Sequence, residues 1–347
     1  MRSRDRRAVS GVPCLAVVGV SLWLIWGAVG LSQDFGDSGL SPDVAKFLQQ
    51  MTPNIDQTLA QLHDPDPGVR EGAANLLGQL RDLRSVQALI AALQGDPSPS
   101  VRETAAKRKQ FQKFFAIDSK CPQKELNRAA TTAVALDKLV AKFSLDMLAY
   151  YYMGSGIKEN EDTMSSIILG TSMLTGNGTP VAGEYEVKNV LAMKIMDELG
   201  AGGSFTEYYA MDYDADLVLM GHDGPGHTRI AQDKIRVRPL RVFHGKVGRG
   251  LSVEMAVKHG PVTLLSVVED KNKGFSFLVA EGESVPGPIL KIGNTNSRYR
   301  FSLGARGFVE AWNARGPAHH CTVGLGGRGS ELRKIAALMD LGFTQIC

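Results

Sequence analysis

Residues 181–228 read VAGEYEVKNVLAMKIMDELGAGGSFTEYYAMDYDADLVLMGHDGPGHT. Val187, Val190, Leu191, Ile195 and Leu199 recur at helical spacing and define one apolar face. Gly200, Gly202 and Gly203 end that helix. Residues 204–211 then read as a strand carrying Glu207, and residues 216–221 as a second strand delivering His222 into a glycine-rich turn that also holds Asp223 and His227. Glu184 lies just ahead of the helix, where the helix dipole favours a carboxylate. Glu207 lies between Phe205 and Tyr208, and burying a carboxylate there without a partner is costly. Far downstream, Ala318-His-His-Cys321 adds His319 and His320.

Taken singly, each of these residues has a plain structural reading: a helix-end charge, a turn histidine, a solvated histidine pair. Taken together, Glu184, Glu207, His222 and His320 form a mixed oxygen and nitrogen donor set suited to Mn²⁺ or a similar divalent ion. Zinc is less favoured without thiolate ligands. Asp223 and His227 either line a substrate pocket or only shape the turn, and His319 is a further pocket or support residue.

Outward from this stretch the chain changes character several times. The start carries Arg2, Arg4, Arg6 and Arg7, followed by an apolar run over residues 11–31. That pattern predicts a signal peptide or a membrane anchor. Residues 32–53 read as a linker. Residues 54–106 hold a repeat: His63-Asp-Pro-Asp-Pro-Gly-Val-Arg-Glu-Gly-Ala-Ala74 recurs as Gly95-Asp-Pro-Ser-Pro-Ser-Val-Arg-Glu-Thr-Ala-Ala106. Proline suits the first position of a helix, so each copy reads as a helix start. The segment resembles a short HEAT-type array, similar to the lyase-type HEAT repeats. It breaks off into Lys107-Arg108-Lys109, short of the three units such arrays need.

Residues 110–174 read as helices with a short buried strand at Ala149-Tyr150-Tyr151-Tyr152-Met153. After Arg229 short strands dominate, with a hairpin-like loop at Asp270-Lys-Asn-Lys-Gly274, and residues 331–341 close the chain as an amphipathic helix. The expected fold is multidomain α+β: an N-terminal apolar helix (1–31), a linker (32–53), HEAT-like α-hairpins (54–106), a partial α/β domain (107–203) and a C-terminal antiparallel β-barrel (204–347). The formal net charge of +3 across 347 residues, much of it in the first seven, argues against a nucleic-acid binder. The four cysteines are widely spaced and predict neither a disulfide framework nor a zinc knuckle.

Val181-Ala-Gly-Glu-Tyr-Glu-Val-Lys188, Ser204-Phe-Thr-Glu-Tyr208, Asp216-Leu-Val-Leu-Met-Gly-His222 and Gly316-Pro-Ala-His-His320 resemble consecutive motifs of the L-arabinose isomerase family. The resemblance runs from about Lys107 to the C-terminus. It implies the end of the family's middle domain followed by its antiparallel barrel. It also implies that Glu184, Glu207, His222 and His320 ligate the metal. The same two glutamates would act as the acid/base pair of an intramolecular oxidoreductase that moves a proton between C1 and C2 through an enediol. A sugar substrate and a homo-oligomer follow from the same resemblance. The glycine-rich Asp223-Gly-Pro-Gly-His227 departs from the family pattern, so the sugar is expected to differ. The family's N-terminal domain has no counterpart, its place being taken by the apolar run and the HEAT-like array. Three readings therefore stand: a metal-dependent aldose–ketose isomerase; a catalytically silent, membrane-tethered helical-repeat scaffold with a relic isomerase domain; or a metal-dependent hydrolase using the same ligands. The N-terminus implies a membrane-anchored or exported protein, and the resemblance implies a cytoplasmic one.

Overall fold

The computed structural model describes residues 55–62, 64, 65, 69, 73 and 101–347, the last range without residues 152–157, 241, 244–245, 248–249, 271–273, 289 and 292–293. From the N-terminus the elements are helix α1 (Ile55–Gln61), helix α2 (Val101–Phe114), strand β1 (Ala116–Ile117) and the long helix α3 (Gln123–Phe143). Strand β2 (Leu148–Ala149), helices α4 (Lys158–Met164) and α5 (Ile168–Gly176), strand β3 (Val181–Ala182) and helix α6 (Val187–Glu198) follow. Strands β4 (Ser204–Asp212), β5 (Leu217–His222), β6 (Arg236–Pro239), β7 (Val242–Phe243), β8 (Lys246–Val247) and β9 (Leu251–Glu254) come next. The chain ends with β10 (Gly260–Asp270), β11 (Gly274–Val285), β12 (Thr295–Phe301), helix α7 (Gly304–Asn313), β13 (His320–Leu325), helix α8 (Gly329–Leu338) and β14 (Gly342–Gln345). Contacts divide the chain into units 1–58 and 59–347, and the described part of the first is the opening turn of α1. The candidate site lies wholly within the second unit.

Strands β10, β13, β4, β5, β12 and β11 pair antiparallel in that order, and β11 returns to β10, so the sheet closes into a barrel of six strands. Closure leaves no free edge along these strands. Side chains alternate across the β10–β11 hairpin. Val262, Leu264, Leu278 and Ala280 join one core with Val218, Met220, Tyr299, Phe301 and Val323. Leu265, Val267, Phe277 and Val279 face the other way, against Ala192 and Met196 of α6 and Leu332 and Ala336 of α8. Helix α7 adds Phe308 and Trp312 to the first core, with the Phe308 ring stacked on Phe301 at 3.6 Å between centroids. Each such aromatic is worth about 3–5 kcal/mol against truncation to alanine.

The same core continues into a layer outside the barrel. Strand β1 pairs parallel with β6, and β6 antiparallel with β9. Phe111 and Phe115 at the end of α2, Leu126, Ala129 and Ala133 of α3 and Ile168 of α5 pack with Val237 and Val253 of this small sheet.

Several elements differ from the sequence expectation. Residues 235–242 read as part of the barrel, but strand β6 within them pairs with β1 and β9 in a separate sheet. Alternation alone does not say which sheet a strand enters. The buried face of α6 is Asn189, Val190, Ala192, Met193 and Met196, while Val187 and Leu191 are exposed. Val190 is buried and Ile195 and Leu199 pack against the core as expected, so the inward face is rotated toward Asn189 and the two methionines and leaves only Val187 and Leu191 outside. Helix α8 ends at Leu338, so Met339 is exposed, and residues 342–345 form β14 beside β11. Helix α2 runs unbroken through Lys107-Arg108-Lys109, where the repeat pattern stops. The apolar run 11–31, the linker 32–53 and most of the repeat lie outside the described residues. Among the described residues no helix is long and apolar enough to cross a membrane.

Candidate active site

Three neighbouring barrel strands and one turn meet at the site. His320 opens β13 and stands opposite Glu207 of β4, and Glu207 stands opposite Gly221 of β5. His222, the last residue of β5, pairs with Thr295 of β12. The backbone N–H of His222 donates to Thr295 Oγ1 at 3.0 Å, which pins the strand end. Gly221 must be glycine here, since a Cβ would lie 1.8 Å from the Thr295 carbonyl oxygen. A bulge follows Glu207: Tyr208 and Ala210 pair with consecutive residues of β5, leaving Tyr209 as the extra residue.

Glu184 arrives from the turn before α6. Glu184 and Tyr185 both adopt left-handed backbone, at φ 55° and 58°. Two consecutive non-glycine residues in that region cost roughly 1–3 kcal/mol each, so packing around the turn must hold them. The Tyr185 N–H donates to the Tyr150 carbonyl at 2.8 Å and contributes to that hold. The turn carries Glu184 away from the helix end and over the barrel strands.

The four residues converge. Glu184 Oε1 is 3.6 Å from His222 Nε2, and Glu184 Oε2 is 3.7 Å from His320 Nε2. Glu207 Oε2 is 3.9 Å from His320 Nε2. One ligand atom each from Glu207, His222 and His320 lies within 4.8 Å of the others, and the same holds for Glu184, His319 and His320. Both imidazoles are about 99% buried, whereas the two carboxylates keep 19% and 28% of their side-chain surface. Phe205 closes the apolar side, with its ring centroid 4.5 Å from His222 and 4.3 Å from His320.

The two imidazoles are wired differently. His320 Nδ1 faces Glu186 Oε1 at 3.4 Å, and its Nε2 is buried with no hydrogen-bond partner. His222 Nδ1 instead accepts the Gly224 N–H at 3.0 Å. A neutral ring has one N–H, so an accepting Nδ1 puts the proton of His222 on Nε2. As a test of fit for a divalent cation, Glu184, Glu207 and His320 suit it as they stand. His222 suits it at Nε2 once the Gly224 bond is released.

The remaining expected residues separate into two places. Asp223 Oδ1 is 3.7 Å from His222 Nδ1, and His319 Nε2 is 3.6 Å from Glu184 Oε2, so both border the cluster. His319 is 64% exposed on its side chain, and its ring lies 3.8 Å from that of His320. His227 points elsewhere. It is fully buried, with Nε2 3.0 Å from Asp197 Oδ1, and Arg229 Nη2 donates to the same oxygen at 2.6 Å. Burial lowers its pKa, and the Asp197 bond only partly opposes that. Its ring ties the turn to the end of α6 and does not face the carboxylates.

Sequence reading missed Tyr150, Tyr209 and Glu186. Burial, then the charges of Asp223 and Glu184, push the Tyr150 hydroxyl far up; burial, Asp223 and Glu207 do the same for Tyr209. Both stay protonated beside the carboxylates, and Tyr209 Oη accepts the Asn294 amide at 2.7 Å. The tyrosine run after Ala149 was expected as a strand, but β2 ends at Ala149, and nothing local in the run points to Glu184.

A family model described as L-arabinose isomerase C-terminal domain matches residues 202–342, and one described as HEAT repeats matches residues 55–108. The first match includes Glu207, His222 and His320, and begins after Glu184 and Glu186. No curated protein matches the chain.

Proposed function

We propose that this protein is a metal-dependent aldose–ketose isomerase that transfers a proton between C1 and C2 of a sugar through an enediol. The observation that supports it is the convergence of Glu184 from a turn with Glu207, His222 and His320 from three neighbouring barrel strands, the last three within a segment matching an isomerase domain. Glu184, Glu207 and His320, joined by His222, would hold the cation, with Mn²⁺ the best match to this donor set. Such an ion, when bound, polarises carbonyl and hydroxyl oxygens.

The chain's own groups supply the rest. Glu184 and Glu207 are the cluster's partly open carboxylates, so one can take the proton from one carbon while the other serves the neighbouring oxygen. Tyr150 and Tyr209, kept protonated, offer hydroxyl groups near the same carboxylates. Phe205 keeps water from the imidazole side.

The test is to incubate the full chain with an aldopentose and Mn²⁺ in deuterium oxide and follow ketose formation and deuterium at C1. Wild type is expected to form labelled ketose, and Glu207→Gln to lose roughly 10²–10⁴-fold in rate. Absence of ketose and of exchange, with Mn²⁺ bound, would favour the second reading. That reading is a silent isomerase domain carried by a helical-repeat scaffold, which the HEAT-repeat match at residues 55–108 supports.

A further inference from the structure

The turn that carries Glu184 carries a second carboxylate two residues later, and both address one ring. Glu184 Oε2 lies 3.7 Å from His320 Nε2, and Glu186 Oε1 lies 3.4 Å from His320 Nδ1. The left-handed pair Glu184 and Tyr185 makes this geometry, because it reverses the chain between the two carboxylates. Of the three carboxylates around the ring, Glu186 alone is within hydrogen-bond distance; Glu184 and Glu207 stand at 3.7 and 3.9 Å.

We propose that Glu186 is the positioning residue of the site: it accepts the Nδ1–H of His320 and so fixes the ring with its Nε2 lone pair facing Glu184 and Glu207. A carboxylate on the far nitrogen selects the tautomer of an imidazole ligand and raises its basicity. His320 is buried and hemmed by the rings of Phe205, His222 and His319 at 4.3, 5.0 and 3.8 Å, so the ring does not turn to find another partner. Helix α6 is locked to β13 at the same level. Asn189 Nδ2 donates to the Cys321 carbonyl at 3.3 Å, and Thr322 Oγ1 donates to Asn189 Oδ1 at 2.5 Å. The distance between the first residues of α6 and the start of β13 is thus held by two bonds independent of Glu186. Glu186 lies outside the matched isomerase segment, and although it falls in the 181–188 motif, the sequence reading assigned it no role.

The inference deepens the proposed function and rests on it for the identity of the ligand, but the tautomer is measurable without metal. The experiment uses the full chain with isotopically labelled histidine nitrogen, in metal-free buffer above pH about 8, where an ordinary imidazole is neutral. Long-range nitrogen–proton correlations report which nitrogen of each ring carries the proton, and His320→Gln assigns the His320 signals. Wild type is expected to show His320 protonated at Nδ1. Glu186→Ala is expected to give a mixture of the two tautomers, and Glu186→Gln, whose amide oxygen still accepts, to restore the wild-type pattern. Mn²⁺ titration, read by the spectrum of the free aqua ion, is expected to show Glu186→Ala binding about 10–100-fold more weakly, with Glu186→Gln between the two. A folded Glu186→Ala that keeps the wild-type tautomer overturns the proposal, as does a wild type protonated at Nε2. Failure of the wild type to bind Mn²⁺ would instead overturn the proposed function, while the tautomer pattern still decides the role of Glu186.

Discussion

The start of β13 and the end of β5 each present a buried histidine to the same pair of carboxylates, yet the two are not equivalent. At His320 a side-chain carboxylate holds Nδ1, and Nε2 is left open toward Glu184 and Glu207. At His222 a backbone N–H holds Nδ1, two residues along its own turn. An acceptor on the far nitrogen makes the near nitrogen a ligand; a donor on the far nitrogen makes it a donor. The role of each imidazole is therefore set by its outer neighbour, and the residue type alone does not reveal it.

Phe205 is the position where this contrast should vanish, because its ring touches both histidines. Phe205→Ala is expected to cost about 3–5 kcal/mol in denaturant unfolding and to loosen both rings equally. A variant that disturbed one histidine's nitrogen signals and left the other's intact would show that the two rings do not share this wall. His320→Gln separates the two rings most sharply. Mn²⁺ affinity should fall by more than about 100-fold, exceeding what loss of an outer-shell partner produces. His222→Gln should cost about tenfold, since its Nε2 must first give up the Gly224 arrangement. Equal losses in the two variants would break the comparison. Gly224→Ala follows in size. A Cβ there would meet His222 Nδ1 at 2.9 Å, so the ring must shift, at about 1–3 kcal/mol, while the His320 signals stay in place.

Much of this was legible before the structure. Hydrophobic spacing marked α6, β4 and β5, and motif order placed Glu207, His222 and His320 in one family pattern. The register of β13, β4 and β5 then makes their proximity a consequence of antiparallel pairing. Glu184 was legible as a residue, but its route was not. Helix-end logic placed it on the α6 dipole, whereas left-handed backbone at Glu184 and Tyr185 swings it over the barrel. Tyr150, Tyr209 and Glu186 were missed for a shared reason: their site partners lie tens to over a hundred residues away, or appear only once a bulge and a turn are in place. The small β1-β6-β9 sheet escaped because its pairing joins residue 116 to residue 236, a separation no local periodicity encodes.

His227 supplies the control for the whole comparison and the smallest expected effect. It shares the glycine-rich turn with His222, but its ring is bonded to Asp197, which also holds Arg229. His227→Gln should leave Mn²⁺ affinity within about twofold, while costing about 1 kcal/mol from the lost hydrogen bond. Its pH signature has a definite sign. Burial lowers the His227 pKa below its ordinary value, so between the folded and unfolded values the unfolded chain binds more protons. Its contribution to stability is complete above the unfolded value of about 6.5 and is lost as pH falls from there toward the folded value. Urea unfolding followed against pH should therefore show wild type weakening as pH drops below about 6.5, with that part of the slope absent in His227→Gln. If the slope survived unchanged in His227→Gln, the ring bonded to Asp197 would not be its source. The division between a structural and a site histidine would then have to be redrawn.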